Sequence, residues 1–323
     1  MASNKDQHNN NEFELPTPSD PEVKYTQVST NNMGITSINN FQAGYTDENP
    51  TGSRIVLAVH GTPGSHHDFR YLAPPLVQAG LRVIRVNLPG FGATKKPDEL
   101  VYNFNTMAHW LANFLSSINI HTVDMAVGHS FGCAIIATLS VTHPELISAF
   151  TLLSTFGLRP HRIIRPFAAI KLSAYLLDLS WVTNFIATKI LTCAYRMAGF
   201  KMSKFVENEM VHSHQLTTNI DFDQHATNLK SIGKRKVPVI LAYGKNDPLI
   251  ENEIFSEVGQ ILGLKSMTEL SDLNGEQDIE NGIMYEIQLN QSREIVFRNG
   301  SHYIQKFHAK YIAKIIIQVM NKQ

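Results

Sequence analysis

Cysteine is scarce in this chain. Cys133 and Cys193 are the only two in 323 residues, too few for a disulfide framework, and neither stands in metal-ligand spacing. Both read as small buried apolar residues of a protein kept in a reducing, cytoplasmic compartment. Excess charge is lacking too: 28 basic and 28 acidic residues cancel, so there is no global basic field to hold nucleic acid. No uncharged apolar run reaches the roughly 18 residues of a transmembrane helix. The N-terminal stretch "MASNKDQHNNNEFELPTPSD" is polar and has no apolar core of a secretory signal, so residues 1–20 are expected to be a disordered tail. No fixed-period repeat occurs, and no cofactor or metal motif stands out, so neither is expected.

What is present is a hydrophobic content of 43%, enough for a large core. "RIVLAVHG" (54–61), "LRVIRVNLPGFG" (81–92), "VDMAVG" (123–128) and "ISAFTLLST" (147–155) are continuous apolar runs of the kind buried on both faces of a sheet. Ahead of them, "VKYTQVST" (23–30) and "GITSINNFQAGY" (34–45) read as a leading pair of strands. Between the runs, residues 67–80, 107–118 and 133–146 have helical character. The alternation predicts an α/β fold, a mostly parallel sheet covered by helices on both faces. From 157 to 235 only helical periodicity is found, and the sheet resumes with "VPVILAYG" (237–244) and "REIVFRNG" (293–300) before a closing helix over 304–320. The expected division is a core of 21–156 and 236–323, interrupted by a helical cap of roughly 80 residues, too long for a structureless loop.

The segment "MAVGHSFGC" (125–133) sets Ser130 between Gly128 and Gly132, directly after one of the strands and before a helix. A serine that only caps a helix needs no such pair of glycines. A serine pushed out on a sharp turn does. Here the chain resembles the α/β-hydrolase fold family, in its serine-nucleophile branch, and within it a subgroup associated with nematodes. In that family Gly-x-Ser-x-Gly is the nucleophile elbow, a strained strand-to-helix turn. The resemblance covers roughly residues 50–320. It implies a triad in the order serine, acid, histidine: Ser130, then Asp247 in "YGKNDPLI", then His302 in "FRNGSHY". It also implies that "HGTPGS" (60–65) is an oxyanion loop, with the backbone N–H groups of Thr62 and Phe131 as donors, His60 as a supporting residue, and Gly61 and Gly64 allowing close approach. "NLPGFGAT" (87–94) resembles a further family loop in which Asn87 replaces an aspartate. The adjacent His66 and His67 read as loop residues rather than a zinc pair.

A serine nucleophile suits acyl transfer, whereas relatives that open epoxides or remove halides attack with an aspartate. The expected activity is therefore that of a carboxylesterase or lipase-like serine hydrolase that cleaves an ester-type acyl bond of a small-molecule substrate, apolar or lipid-like, through an acyl-enzyme intermediate. Thioesterase, amidase and carbon–carbon bond hydrolase stand as alternatives, beside a non-catalytic binding protein of the same fold. Tyr175 and Tyr195 read as packing residues. Segment 159–204 carries eight basic residues against Asp178 alone and is rich in apolar side chains, while segment 251–292 is strongly acidic. Contact of the basic cap with an anionic membrane is one reading. The other, favoured by the sequence, packs the apolar residues onto the core and leaves the basic ones in water.

Overall fold

In the expected strands, side chains alternate between two layers. The computed structural model, which describes residues 18–197, 209–265, 267–270 and 292–321, shows both layers filled. Strands β1 (Lys24–Ser29), β2 (Asn40–Glu48), β3 (Ile55–Val59), β4 (Arg82–Val86), β5 (Met125–His129), β6 (Phe150–Leu153), β7 (Val239–Gly244), β8 (Met267–Leu270) and β9 (Arg293–Phe297) form one sheet. Its order is β1-β2-β4-β3-β5-β6-β7-β9-β8. β1 and β2 run antiparallel to their neighbours, and every pairing from β4 to β8 is parallel.

Leu57, Val59, Ala126 and Leu241 point into one core, with helices α2 (Phe104–Ser117), α3 (Phe131–Thr142), α7 (Phe222–Lys234) and α8 (Asn252–Ile261). Val56, Ala58, Val127 and Ile240 point into the other, with α1 (Ala73–Gln78) and α10 (Ala309–Asn321). Each of the leucine, valine and isoleucine side chains among these, fully buried, contributes about 1.5–3 kcal/mol. α2 starts where Asn103 accepts the Thr106 N–H at 2.8 Å, and its buried stripe Phe104, Met107, Leu111 and Phe114 follows helical spacing.

Between β6 and β7 the described residues form only helices: a short 3₁₀ turn, α4 (Phe167–Leu179), α5 (Trp181–Met197), α6 (Glu209–Thr218) and α7. α7 packs on α3, where Asn228 donates to Thr138 Oγ1 at 2.9 Å and Leu229 and Ile232 join the core. Residues 198–208 of the expected cap, and the Tyr195 side chain, lie outside the described residues.

Several expectations need correcting. The second strand begins at Asn40, not near residue 34. β8 and α8 were not anticipated. The closing helix is broken at His308, whose ring stacks on Phe297 at 4.1 Å, leaving a short α9 (Ile304–Phe307) before α10. Cys133 is buried and donates to Gly128 O at 3.2 Å, but Cys193 is exposed. Tyr175 is exposed as well, so it is not a packing residue. The expected tail falls mostly on 1–17, outside the described residues; its last member, Asp20, pairs with the buried Arg85 guanidinium at 2.7 Å. The basic and acidic segments do meet, through Arg159 with Glu257 and Arg165 with Glu251. No described helix is long and apolar enough to cross a membrane.

Candidate active site

Parallel strands deliver their C-terminal ends to one edge of the sheet, and the residues of interest all follow β3, β5, β7 and β9. Ser130 follows β5 at φ 49° and ψ −115°, a left-handed conformation that is strained for a residue with a Cβ. Its N–H is held by Leu153 O at 2.8 Å, and α3 begins at the next residue. The flanking glycines leave room for backbone. A Cβ on Gly132 would lie 2.1 Å from Val59 O, and one on Gly128 would lie 2.7 Å from the Cys133 backbone. The β3 loop thus passes directly over the elbow; a Cβ on Gly61 would come within 3.0 Å of Ser130 Cβ.

The loops after β7 and β9 are tied together by backbone hydrogen bonds, Lys245 N–H to Phe297 O at 2.9 Å and Asn246 N–H to Gly300 O at 3.0 Å. This sets Asp247 against His302. Asp247 Oδ2 lies 2.7 Å from His302 Nδ1, while Oδ1 accepts from the N–H groups of Leu249 (2.8 Å) and Ile250 (3.0 Å). Both carboxylate oxygens are therefore engaged, and both side chains are buried. With Nδ1 facing a carboxylate, the proton sits on Nδ1 and Nε2 is left as the acceptor.

Ser130, Phe131, His302 and Thr62 line one cavity of about 330 Å³, whose remaining wall is mostly apolar, with Ile164, Ile170, Leu191 and Ile220 among it. That volume is at the lower end of small-molecule sites, roughly 300–1,000 Å³. Thr62 Oγ1 donates to Ser213 Oγ of α6 at 2.9 Å. His60 bridges two loops: Nδ1 donates to Gly61 O at 2.6 Å and Nε2 accepts the Leu88 N–H at 3.0 Å. Burial holds its imidazole neutral, with a pKa pushed down to about 4. A Cβ on Gly64 would meet Asp68 Oδ2 at 2.5 Å. Asn87 makes use of being an amide. Its Oδ1 accepts from His66 N–H and Nδ1 at 3.1 and 2.8 Å, and its Nδ2 donates to Gly44 O at 2.9 Å, a bond an aspartate could not make.

Among the described residues, Asp20, His66 and His67 bring three metal-type donors together. Each already has a partner: Asp20 is paired with Arg85 and His67, and His66 with Asn87. The adjacent guanidinium also opposes a cation.

The model of the family described as "Alpha/beta hydrolase of unknown function (DUF1057)" matches residues 22–321. The chain belongs to this α/β-hydrolase family. This hydrolase is 29% identical over 122 residues to bifunctional epoxide hydrolase 2 of Rattus norvegicus, a match covering 38% of the chain and 22% of the rat protein. It is 30% identical over 118 residues to the 2-hydroxy-6-oxo-6-(2'-aminophenyl)hexa-2,4-dienoic acid hydrolase of Metapseudomonas resinovorans, covering 36% of the chain and 40% of that protein. The chain thus spans well under half the length of either relative. The solved structure of an esterase from Exiguobacterium antarcticum shares the fold at a TM-score of 0.61 and 14% identity, over 92% of this chain and 99% of that one.

Sequence reasoning gave no role to three histidines of the hydrolase site, of which it placed only His129, beside the nucleophile and unable to act as its base. His129 Nε2 donates to His302 O at 3.1 Å and its ring packs 5.0 Å from the His302 ring, so it supports the base from beneath. His161 lines the cavity and donates through Nδ1 to Leu249 O at 3.0 Å; burial pushes its pKa down to about 4, and the nearby His302 adds to this. His214, also in the lining, bonds Ser173 Oγ at 2.8 Å through Nε2. Their partners are far away in sequence, and no local spacing signals them.

Proposed function

We propose that this protein is a serine hydrolase that cleaves an ester-type acyl bond through an acyl-enzyme intermediate, with an apolar acyl substrate. The observation that carries the reading is that a strained elbow serine and His302, backed by the buried Asp247, share the wall of one mostly apolar cavity. Ser130 Oγ attacks the substrate carbonyl as His302 Nε2 takes its proton. The imidazolium so formed is stabilised by Asp247. The carbonyl oxygen becomes an oxyanion, held by the backbone N–H groups of Thr62 and Phe131; the latter sits at the first turn of α3, where unpaired N–H groups point outward. His302 then returns the proton to the departing alkoxide, which leaves as the alcohol. Water attacks the acyl-serine with His302 again as base, releasing the acid and restoring Ser130.

Carbon–carbon bond hydrolysis is the second reading. It is favoured by the Metapseudomonas relative and uses the same serine, base and oxyanion donors. Thioesters and amides meet the same machinery.

The test is labelling with a fluorophosphonate probe of the wild type, Ser130→Ala and His302→Ala, followed by a panel of p-nitrophenyl esters, an acyl thioester and an anilide. Labelling confined to the wild type is the expected result. A folded wild-type protein that neither labels nor turns over any of the panel would mean a non-catalytic binding protein and would overturn the proposal.

A further inference from the structure

Ten of the sixteen exposed large hydrophobic side chains among the described residues fall within residues 163–190: Ile163 and nine on α4 and α5. This concentration is the opposite of what a cap packed onto its core would show. On α4, Leu172, Tyr175, Leu176 and Leu179 form an outer stripe at helical spacing, while Ile170 lines the cavity and Leu177 is buried. On α5, Val182, Ile186 and Ile190 follow the same spacing beside Trp181 and Phe185, while Leu191 lines the cavity. Each helix is therefore apolar on two sides. One side belongs to the cavity that holds Ser130, and the other faces solvent. The two helices pack on each other and on α6, so the exposed stripes lie on adjoining helices. Exposed large apolar side chains concentrated on adjoining helices mark an interaction site, whereas singly scattered ones do not.

Charge selects the occupant. Arg159 and Arg165, at the base of the cap, are neutralised by Glu257 and Glu251. Lys171 and Lys189, on the hairpin itself, have no carboxylate partner among the described residues; each lies over an aromatic ring, Phe167 at 5.2 Å and Phe185 at 5.5 Å. Two copies of the hairpin facing each other would bring these lysines against like charges. A surface with apolar depth and anionic headgroups satisfies both stripe and lysines. No described helix is long enough to cross a bilayer, so the hairpin would lie in the interface. We infer that the α4–α5 hairpin docks this protein on an anionic lipid surface, with the cavity on the hairpin's inner side. The docking stands on the hairpin alone. Its further consequence, that the acyl substrate enters from the lipid layer, rests on the hydrolase function proposed above.

The chain contains its own reporter. It has two tryptophans; Trp110 is fully buried, and Trp181 is 83% exposed at the start of α5. A change in tryptophan emission on adding vesicles therefore reports Trp181. The full-length wild type and Ser130→Ala are mixed with vesicles of phosphatidylcholine, alone or with about a quarter phosphatidylserine. Emission and co-flotation are then measured. The expected result is a blue shift and flotation with the anionic vesicles, equal in both proteins. A Phe185→Glu/Ile190→Glu variant should lose both signals. A Lys171→Glu/Lys189→Glu variant should bind at least about tenfold more weakly. Hydrolysis of a short soluble ester should stay within about twofold in these variants.

Absence of shift and flotation with every vesicle would overturn the proposal. So would equal binding to neutral vesicles. A blue shift that grows with protein concentration in the absence of lipid, together with a dimer in sedimentation, would assign the surface to a second copy and overturn it too. Because Ser130→Ala is tested beside the wild type, loss of docking and failure of the serine mechanism are read separately.

Discussion

Replacing Asp247 by asparagine tests the base more sharply than removing it, because the shape of the site is kept. The carboxylate has two jobs: Oδ1 accepts two backbone N–H groups, from Leu249 and Ile250, and Oδ2 faces His302 Nδ1 at 2.7 Å. An amide can fill only one of these roles with its oxygen. Turned so that its NH₂ faces Leu249 and Ile250, it would set donor against donor twice in a buried place, at roughly 1–3 kcal/mol for each lost bond. Turned the other way, it keeps both backbone bonds and loses one. The second orientation therefore wins, and an NH₂ donor then faces His302. The imidazole must answer by moving its proton from Nδ1 to Nε2, because a neutral histidine carries only one. Nε2 is then a donor and can no longer take the proton of Ser130. The expected cost is about 10⁴-fold in turnover, or about 5.5 kcal/mol of transition-state stabilisation, as for the equivalent change in serine-protease triads. The assay is the second-order rate of fluorophosphonate labelling and the turnover of whichever p-nitrophenyl ester the wild type accepts, with circular dichroism to confirm the fold. A folded Asp247→Asn protein within about tenfold of wild type would refute the tautomer argument and Asp247 as its source.

Two further outcomes follow from groups around the site. His225 is fully buried, with neither ring nitrogen hydrogen-bonded among the described residues, and it stacks on Phe156 at 4.5 Å; burial pushes its pKa down to about 3. The folded protein thus stays neutral there while the unfolded chain takes up a proton near pH 6.5. The stability is complete above that pH and falls as the pH is lowered towards 3, by about 1.4 kcal/mol per unit from this residue. His225→Phe should remove that share, so that urea unfolding at pH 5 and pH 7 differs by about 2 kcal/mol less than in the wild type; an unchanged difference would show that the burial argument is wrong. Gly132→Ala places a Cβ 2.1 Å from Val59 O and 2.7 Å from His60 O, both backbone atoms that cannot turn aside. It should cost about 3 kcal/mol or more, or give no soluble protein, and a urea midpoint equal to wild type would contradict the close approach.

The parts of this site that can be read in sequence are those whose cause is local. β5, Ser130 and α3 are consecutive, and the two glycines state the backbone contacts directly. β8 has no such signature, being four residues with two of them exposed on the last strand of the sheet. α8 does carry a stripe of Ile254, Phe255 and Val258 that could have been found. His129 reaching His302, 173 residues away, and His161 reaching Leu249, 88 away, are products of strand order and cannot be seen beforehand. The cap poses the subtler case. Composition showed that residues 159–204 are apolar and basic, and the economical inference was that apolar side chains pack inward. In a helix of the core layer that inference holds, because its polar side is visible in the sequence: α2 alternates buried Phe104 and Met107 with outward Asn105 and His109. α4 and α5 lack that contrast. Outside a core, a helix with apolar residues all round has two apolar sides to cover, and packing on one cavity covers only one. The weak contrast along these two helices was therefore the sequence sign of a second contact, which the exposed stripes then locate.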